Sequence, residues 1–401
     1  MDQDLPQLDF SAPDFSTRGG EIHRVQKLNW CARTNYGLAV LRYKEAGQLL
    51  RDRRLRQGSH AWPETVGLAG GFAEFWRRSI ISQEGDRHRK LKLLGRAALS
   101  DDFVADLAPE FQKIARSLLD GLSDTSEFEF MARFSEPFAG LAIAHLLGMD
   151  AGQAAAMARD ASTLGLAMGI GASAHEAKIN RAFDRLYALA GHLVDQVRAG
   201  QDRSSYIARL VAGFDRDGGE DLRTLLDLIV ISIFGGVDTT RAQLGFAIAL
   251  FVEHPGQWQK LRNHPELVHQ AIEEVIRTRP TTTWSTREAI QNFSFGGVNI
   301  RKGETLHILV HATAFDPEAG QGERQFDIGR RRRVHFGFGG GAHHCLGQFV
   351  ARTDMAAALT VMLRRWQHFS WSGSPEFLPD SGNTSPVRLP LSVEWDQLAP
   401  E

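Results

Sequence analysis

The chain has 401 residues, 43% of them hydrophobic and 23% charged, with a formal net charge of −2. That balance describes a soluble globular protein large enough for one big core or two ordinary domains, and it excludes global basicity as a means of holding nucleic acid. Two cysteines, Cys31 and Cys345, are too few for a disulfide-stapled secreted scaffold, so free thiols in a cytoplasmic, reducing compartment are expected.

The opening, MDQDLPQLDFSAPDF, is acidic and polar with no basic stretch leading into an apolar one. No signal peptide or membrane anchor is expected there, and residues 1–20 read as a flexible segment. YGLAVLRY then has strand character. DRHRKLKLL is the start of a basic helix, and DDFVADLAPEFQKIARSLLDGL and AKINRAFDRLYALAGHLVDQVRAG place apolar residues at three- and four-residue intervals, as amphipathic helices do. The longest apolar run, LLDLIVISIFGGVDTTRAQLGFAIALFV, contains Asp227, Asp238 and Arg241. Those charges argue against a bilayer span and for a long buried helix. PELVHQAIEEVIRT predicts another helix, NFSFGGVNIRKGETLHILVHA short strands and hairpins, and CLGQFVARTDMAAALTVMLRRW a further amphipathic helix. No repeat, low-complexity tract or linker divides the chain. A single domain over residues 1–401, mainly α with small β-sheets, is expected.

Within HFGFGGGAHHCLG, five glycines (Gly337, Gly339, Gly340, Gly341 and Gly347) crowd around Cys345. Glycine is needed where backbone takes positive φ or approaches a ligand closely, so a large flat partner is expected against this loop. Cys345 lies at or just before a helix N-terminus, where the dipole and free N–H groups stabilise a thiolate. A buried structural cysteine is one reading. Zinc on His343, His344 and Cys345 is another, although three adjacent residues depart from the usual ligand spacing. Covalent c-type haem would require CxxCH, which does not occur.

The spacing Phe338-Gly339-x-Gly341-x-His343-x-Cys345-x-Gly347 resembles the haem-binding loop of the cytochrome P-450 family, the haem-thiolate monooxygenases. The resemblance implies haem b, with Cys345 as the axial iron ligand, whose electron push favours O–O cleavage, and His343 at a haem propionate. Further motifs follow in the family's order. GGVDTT (Gly235–Thr240) interrupts the long helix with two glycines, each about 1 kcal/mol worse than alanine, followed by an acid and an alcohol. By resemblance, Asp238 and Thr239 manage protons during oxygen activation. In EEVIRTRP, Glu274 and Arg277 stand one turn apart and match the family's structural Glu-x-x-Arg pair. Its usual third, basic partner is in doubt, because Gln325 occupies that place with Arg324 one residue earlier. Arg287, His88 and Lys92 match propionate-binding positions, with Lys92 replacing a more usual arginine. On the residues alone, the basic helix could equally be a solvated face.

Arg330, Arg331, Arg332 and Arg333 precede the cysteine loop, and a basic patch there suits an acidic ferredoxin or flavodoxin-like electron donor, a separate protein. The resemblance implies a pocket drawing on Phe234, Gly235, Val237, Trp284, the segments 62–75 and 164–174, and Thr384-Ser385-Pro386. It suits a lipophilic molecule such as a terpenoid, polyketide or fatty acyl derivative. The implied reaction is insertion of one oxygen atom from O2 by a monomer, bacterial in type. A peroxide-driven hydroxylase, an oxidative coupling or desaturation enzyme, and a haem sensor are the alternatives.

Overall fold

The computed structural model describes residues 5–12, 14–169, 171–219, 221–319, 325–330, 335–380 and 382–396. Its axis is the central helix Leu222–Glu253, in which twenty residues are buried. The apolar run makes this helix hydrophobic nearly all round, which only a surrounding layer of helices can satisfy. Asp221 caps its start by accepting the backbone N–H of Arg223 at 3.0 Å. Around it pack the helices Glu136–Leu147, Ala151–Gly165 and Glu176–Arg198. The helix carrying the cysteine loop, Gln348–Arg365, packs most extensively against Asp101–Asp120. Between these elements Phe130, Phe134 and Phe138 stack in sequence, with centroids 5.4 and 5.6 Å apart. Each fully buried ring contributes up to roughly 3 kcal/mol.

The β-region stands to one side. Its main sheet has six strands, in the order Gln7–Leu8, Cys31–Thr34, Gly37–Val40, Thr305–Leu309, Trp284–Ala289 and Leu55–Gln57. Gly37–Val40 pairs parallel with Thr305–Leu309, so segments far apart in the chain meet in register. A three-stranded sheet joins Trp366–Trp371, Pro390–Trp395 and Glu127–Glu129, and two short hairpins complete the set. Among the described residues no helix is long and apolar enough to cross a membrane.

Within residues 1–20, expected as a flexible segment, residues 7–12 and 14–18 make contacts with distant parts of the chain. Gln7–Leu8 adds a parallel edge strand against Arg33–Thr34. Ser16 Oγ donates to Asp380 at 2.6 Å, and Arg18 grips the same carboxylate at 3.0 and 3.1 Å. Partners more than 360 residues away hold this segment, and local polarity carried no sign of them.

Candidate active site around Cys345

Both cysteines are free. Cys31 is fully buried in a strand, and burial pushes its thiol up to about 12, so it is an inert core residue. Cys345 differs. Its N–H donates to Phe338 O at 2.9 Å, closing the loop, and Gly339 and Gly341 take φ of +68° and +69°. A Cβ on Gly341 would collide with the backbone carbonyl of Leu50. Phe338 lies beneath the guanidinium of Arg352, 4.4 Å from its ring centroid. Burial raises the Cys345 thiol pKa, while the Gly347 N–H, Lys92 and Arg352 pull it down. The residue is nevertheless exposed by surface area. Gly347, beside it, has space where a Cβ would stand.

The central helix has a matching gap. Gly235 is exposed among buried neighbours, and a Cβ added to it would meet nothing within 4 Å. One turn on, Thr239 Oγ1 donates back to Gly235 O at 2.6 Å. Asp238 pairs with Arg241 at 3.0 Å, and Thr240 Oγ1 donates to the buried Asp354 at 2.9 Å. Adjacent residues of GGVDTT thus serve different faces of the helix. Phe234 and Val237 are buried in the main core, the former edge-on to Trp76. The indole of Trp284 belongs to an aromatic cluster of the β-region, stacked on Phe10 at 5.6 Å and edge-on to His307 at 5.7 Å.

Four predicted cationic or polar residues gather on the cysteine loop. Arg287 is 4% exposed and donates to Gln57 Oε1 and Gly340 O, both at 3.0 Å, and to Thr286 O at 2.8 Å. It has no carboxylate partner within salt-bridge distance among the described residues, and burial lowers its pKa to about 10. A buried guanidinium held only by neutral acceptors is expensive unless an anion joins it. The rings of His88 and His343 lie 4.1 Å apart. Burial first, then His343 and Lys92, bring His88 down to about 4, so it is neutral at pH 7. Lys92 Nζ donates to Ala342 O and, at 2.6 Å, to His344 O. Gly95, on the same helix Gly85–Ala98, leaves the space that Leu346 fills.

Two members of this rim were missed in the sequence. Glu84 meets His343 Nε2 at 3.0 Å and accepts the Gln57 N–H at 2.6 Å, and Gln57 in turn holds Arg287. The position of Glu84 as N-cap of the basic helix was the available signal. An open cleft of about 580 Å³ is lined by Arg53, Arg56, His60 and Arg77 together with Gln57 and Glu84 of this rim. It does not include Cys345. The zinc reading fails, because His343 faces Glu84 and His344 Nδ1 faces Gln348 at 3.0 Å. No metal-holding group of His, Cys, Asp and Glu occurs among the described residues.

The donor set suits haem: a thiol at a helix start, glycines facing open space on both sides, and a buried arginine lacking an anion. Behind it, Glu274 and Arg277 form a fork with both bonds at 2.7 Å and side chains 7% and 4% exposed, so they are no solvated pair. Arg277 also donates to Ala314 O at 2.9 Å and stacks 4.4 Å from the Phe315 centroid. Glu274 accepts the Asp327 N–H at 3.1 Å, so a backbone donor serves it in this region. Gln325 makes no side-chain bond to the pair, and Arg324 lies outside the described residues. The neighbouring Glu273, unnoticed in the sequence, holds Arg352 and His335. Arg331, Arg332 and Arg333 lie outside the described residues, and Arg330 reaches Gln325 O at 3.4 Å.

Comparison with known proteins agrees with this geometry. The chain is 32% identical to luteothin monooxygenase of Streptomyces thioluteus, over 97% of this chain and 96% of that protein. It is 26% identical to mycinamicin IV hydroxylase/epoxidase of Micromonospora griseorubida, over 90% of each. The crystal structure of CalO2 shares the fold with a TM-score of 0.86 at 24% identity, covering 93% of this chain and 95% of that one. The model of the cytochrome P450 family matches residues 172–391, and this chain belongs to that family, haem b monooxygenases whose fold and loop it carries.

Proposed function

We propose that the protein inserts one oxygen atom from O2 into a lipophilic small molecule of specialised metabolism, and that the sulfur of Cys345 would hold the iron of haem b. The observation that carries this assignment is Cys345, an exposed cysteine in a glycine loop closed by its N–H bond to Phe338 O, just before the start of Gln348–Arg365. Haem supplies the oxidising chemistry when bound. The protein's part is to hold, charge-balance and protonate. Arg287, His88, Lys92 and His343 receive the propionates, the unpaired cation of Arg287 gaining its missing anion. Phe338, Gly339, Gly341 and Gly347 shape the loop that brings backbone N–H groups to the sulfur. Glu274 and Arg277 brace the segment beneath it.

On the other side, Gly235 lets reactants approach the helix, and the Thr239 hydroxyl, its one proton donated to Gly235 O, keeps its oxygen lone pairs to accept from a proton-carrying group beside that space. Asp238 supplies the proton from the solvent side. Peroxide already carries its protons and would make this pair unnecessary, so the intact pair supports the O2 route. Phe234 and Val237 support an apolar pocket wall, and the luteothin and mycinamicin relatives support a specialised-metabolite substrate. Electrons arrive from a separate ferredoxin at the face near Arg330, with Arg331, Arg332 and Arg333 adding charge. Leu93 and Phe349, 62% and 50% exposed on the two helices flanking the cysteine loop, offer apolar contact there.

The test is the absorption spectrum of the dithionite-reduced, carbon-monoxide-bound protein. A strongly red-shifted Soret band is expected from thiolate ligation. A spectrum typical of histidine-ligated haem, or a folded preparation that takes up no haem, would overturn the assignment.

A further inference from the structure

We propose that Arg241 is a positioning residue that ties the carboxylate of Asp238 to the loop at Ser385, so that substrate pressing on this loop resets the proton-donating acid. The inference rests on the reading of Asp238 as part of the proton pair. Arg241 stands one turn beyond Asp238 on the central helix, and its guanidinium is 12% exposed. A single nitrogen, Nη2, donates both to Asp238 Oδ1 at 3.0 Å and to Ser385 Oγ at 3.2 Å. Movement of either acceptor is therefore felt by the other. Its Nε is buried without a partner, so the guanidinium is not locked in the two-bond fork that Arg277 forms with Glu274 and is free to pivot.

The remaining surroundings favour a movable acid. Arg241 Nη1 lies 3.6 Å from Glu136 Oε1, so one cation is shared between two carboxylates. Glu136 is half exposed, and burial raises its pKa while Arg241 lowers it. Oδ2 of Asp238 lies 3.4 Å from where a Cβ on Gly165 would stand, so the last residue of Ala151–Gly165 leaves the carboxylate its space.

Ser385 is 4% exposed and belongs to a strip laced to the Thr281–Thr283 segment. Thr384 N donates to Thr281 O, and Thr283 N to Gly382 O, both at 2.8 Å. Thr281 Oγ1 adds a bond to Thr384 O at 2.8 Å. The two stretches are thus joined as one ladder, which meets the central helix at Gln243, whose Oε1 accepts the Thr281 N–H at 3.3 Å, and at Arg241, which also bonds Asp238. Among the described residues no hydrogen bond joins Asp238 to this loop directly, and the Arg241 guanidinium is the shortest bonded connection between them.

Amide hydrogen exchange of the haem-loaded protein, read by mass spectrometry on peptides covering residues 378–386, tests the tether directly. Asp238→Asn is expected to speed exchange there by about tenfold, the effect of weakening one charge-assisted bond. In an Arg241→Gln background the same substitution should add nothing, and Arg241→Lys should restore part of the protection. Unchanged loop exchange in Asp238→Asn, or an effect undiminished in Arg241→Gln, would overturn the proposal. In parallel, peroxide release is measured with a surrogate ferredoxin and ferredoxin reductase. It should rise in Ser385→Ala and Arg241→Gln as it does in Asp238→Asn. If the loop responds but Asp238→Asn releases no extra peroxide, the tether stands and the assignment of Asp238 to proton delivery falls.

Discussion

Asp354 is a carboxylic acid in a place that suits only its neutral form. It is 1% exposed, on the helix that follows the cysteine loop. Oδ2 accepts from Thr240 Oγ1 at 2.9 Å, while Oδ1 has no partner and no salt bridge reaches the group among the described residues. Burial pushes its pKa from 3.8 to about 8, against the smaller opposing effects of Thr240 and the Met355 N–H. The folded pKa lies above the unfolded one, so the stability this group allows is complete below about pH 4 and is lost as pH rises toward 8. Each pH unit in that window costs about 1.4 kcal/mol, or roughly 4 kcal/mol by pH 7. Asp354→Asn keeps the shape and the acceptor for Thr240 but removes the titration. The variant should be more stable than wild type at pH 7 to 8 by ~2–4 kcal/mol, the gap shrinking toward pH 5. Urea midpoints of the haem-loaded proteins at four pH values measure it. Parallel pH dependences, or a variant destabilised equally throughout, would refute a neutral buried acid.

Glu274→Ala strands the Arg277 cation with one carbonyl and one ring and leaves the Asp327 N–H unmet, a loss of about 3–5 kcal/mol. At roughly 2.1 cal/mol/K per residue, the 401-residue chain should melt ~4–6 °C lower, and a drop under about 1 °C in a calorimetric scan would contradict the buried pair. Cys345→Ser replaces a soft ligand atom with a hard one, so the red-shifted carbon-monoxide band should vanish; an unchanged spectrum removes Cys345 from the site. Arg287→Ala should lower haem retention in an apo-protein transfer assay by about tenfold or more, with Arg287→Lys recovering part of it, whereas equal retention would mean that another cation meets the propionates. Thr239→Ala should keep the spectrum while diverting electrons to peroxide, and unaltered coupling would assign proton delivery elsewhere.

Local order in this protein was legible from the sequence because it depends on near neighbours. Apolar spacing marked the central helix, glycines and β-branched residues marked the strands, and the spacing around Cys345 marked the loop, whose resemblance carried the family and the cofactor. The resemblance also named Asp238, Thr239, Arg287 and the Glu274–Arg277 pair as site residues. It said nothing of which carboxylate answers which cation. Thr240 meets Asp354 across 114 residues and Arg241 meets Ser385 across 144, so only the packing of the helices could select those partners. Packing likewise decided that Arg287 is buried with no counterion among the described residues, that Glu84 and Gln57 join the cation rim, and that Trp284 turns toward Phe10. Periodicity states which face of an element avoids water, but the free energy of a buried charge depends on what the rest of the chain places within a few ångströms of it.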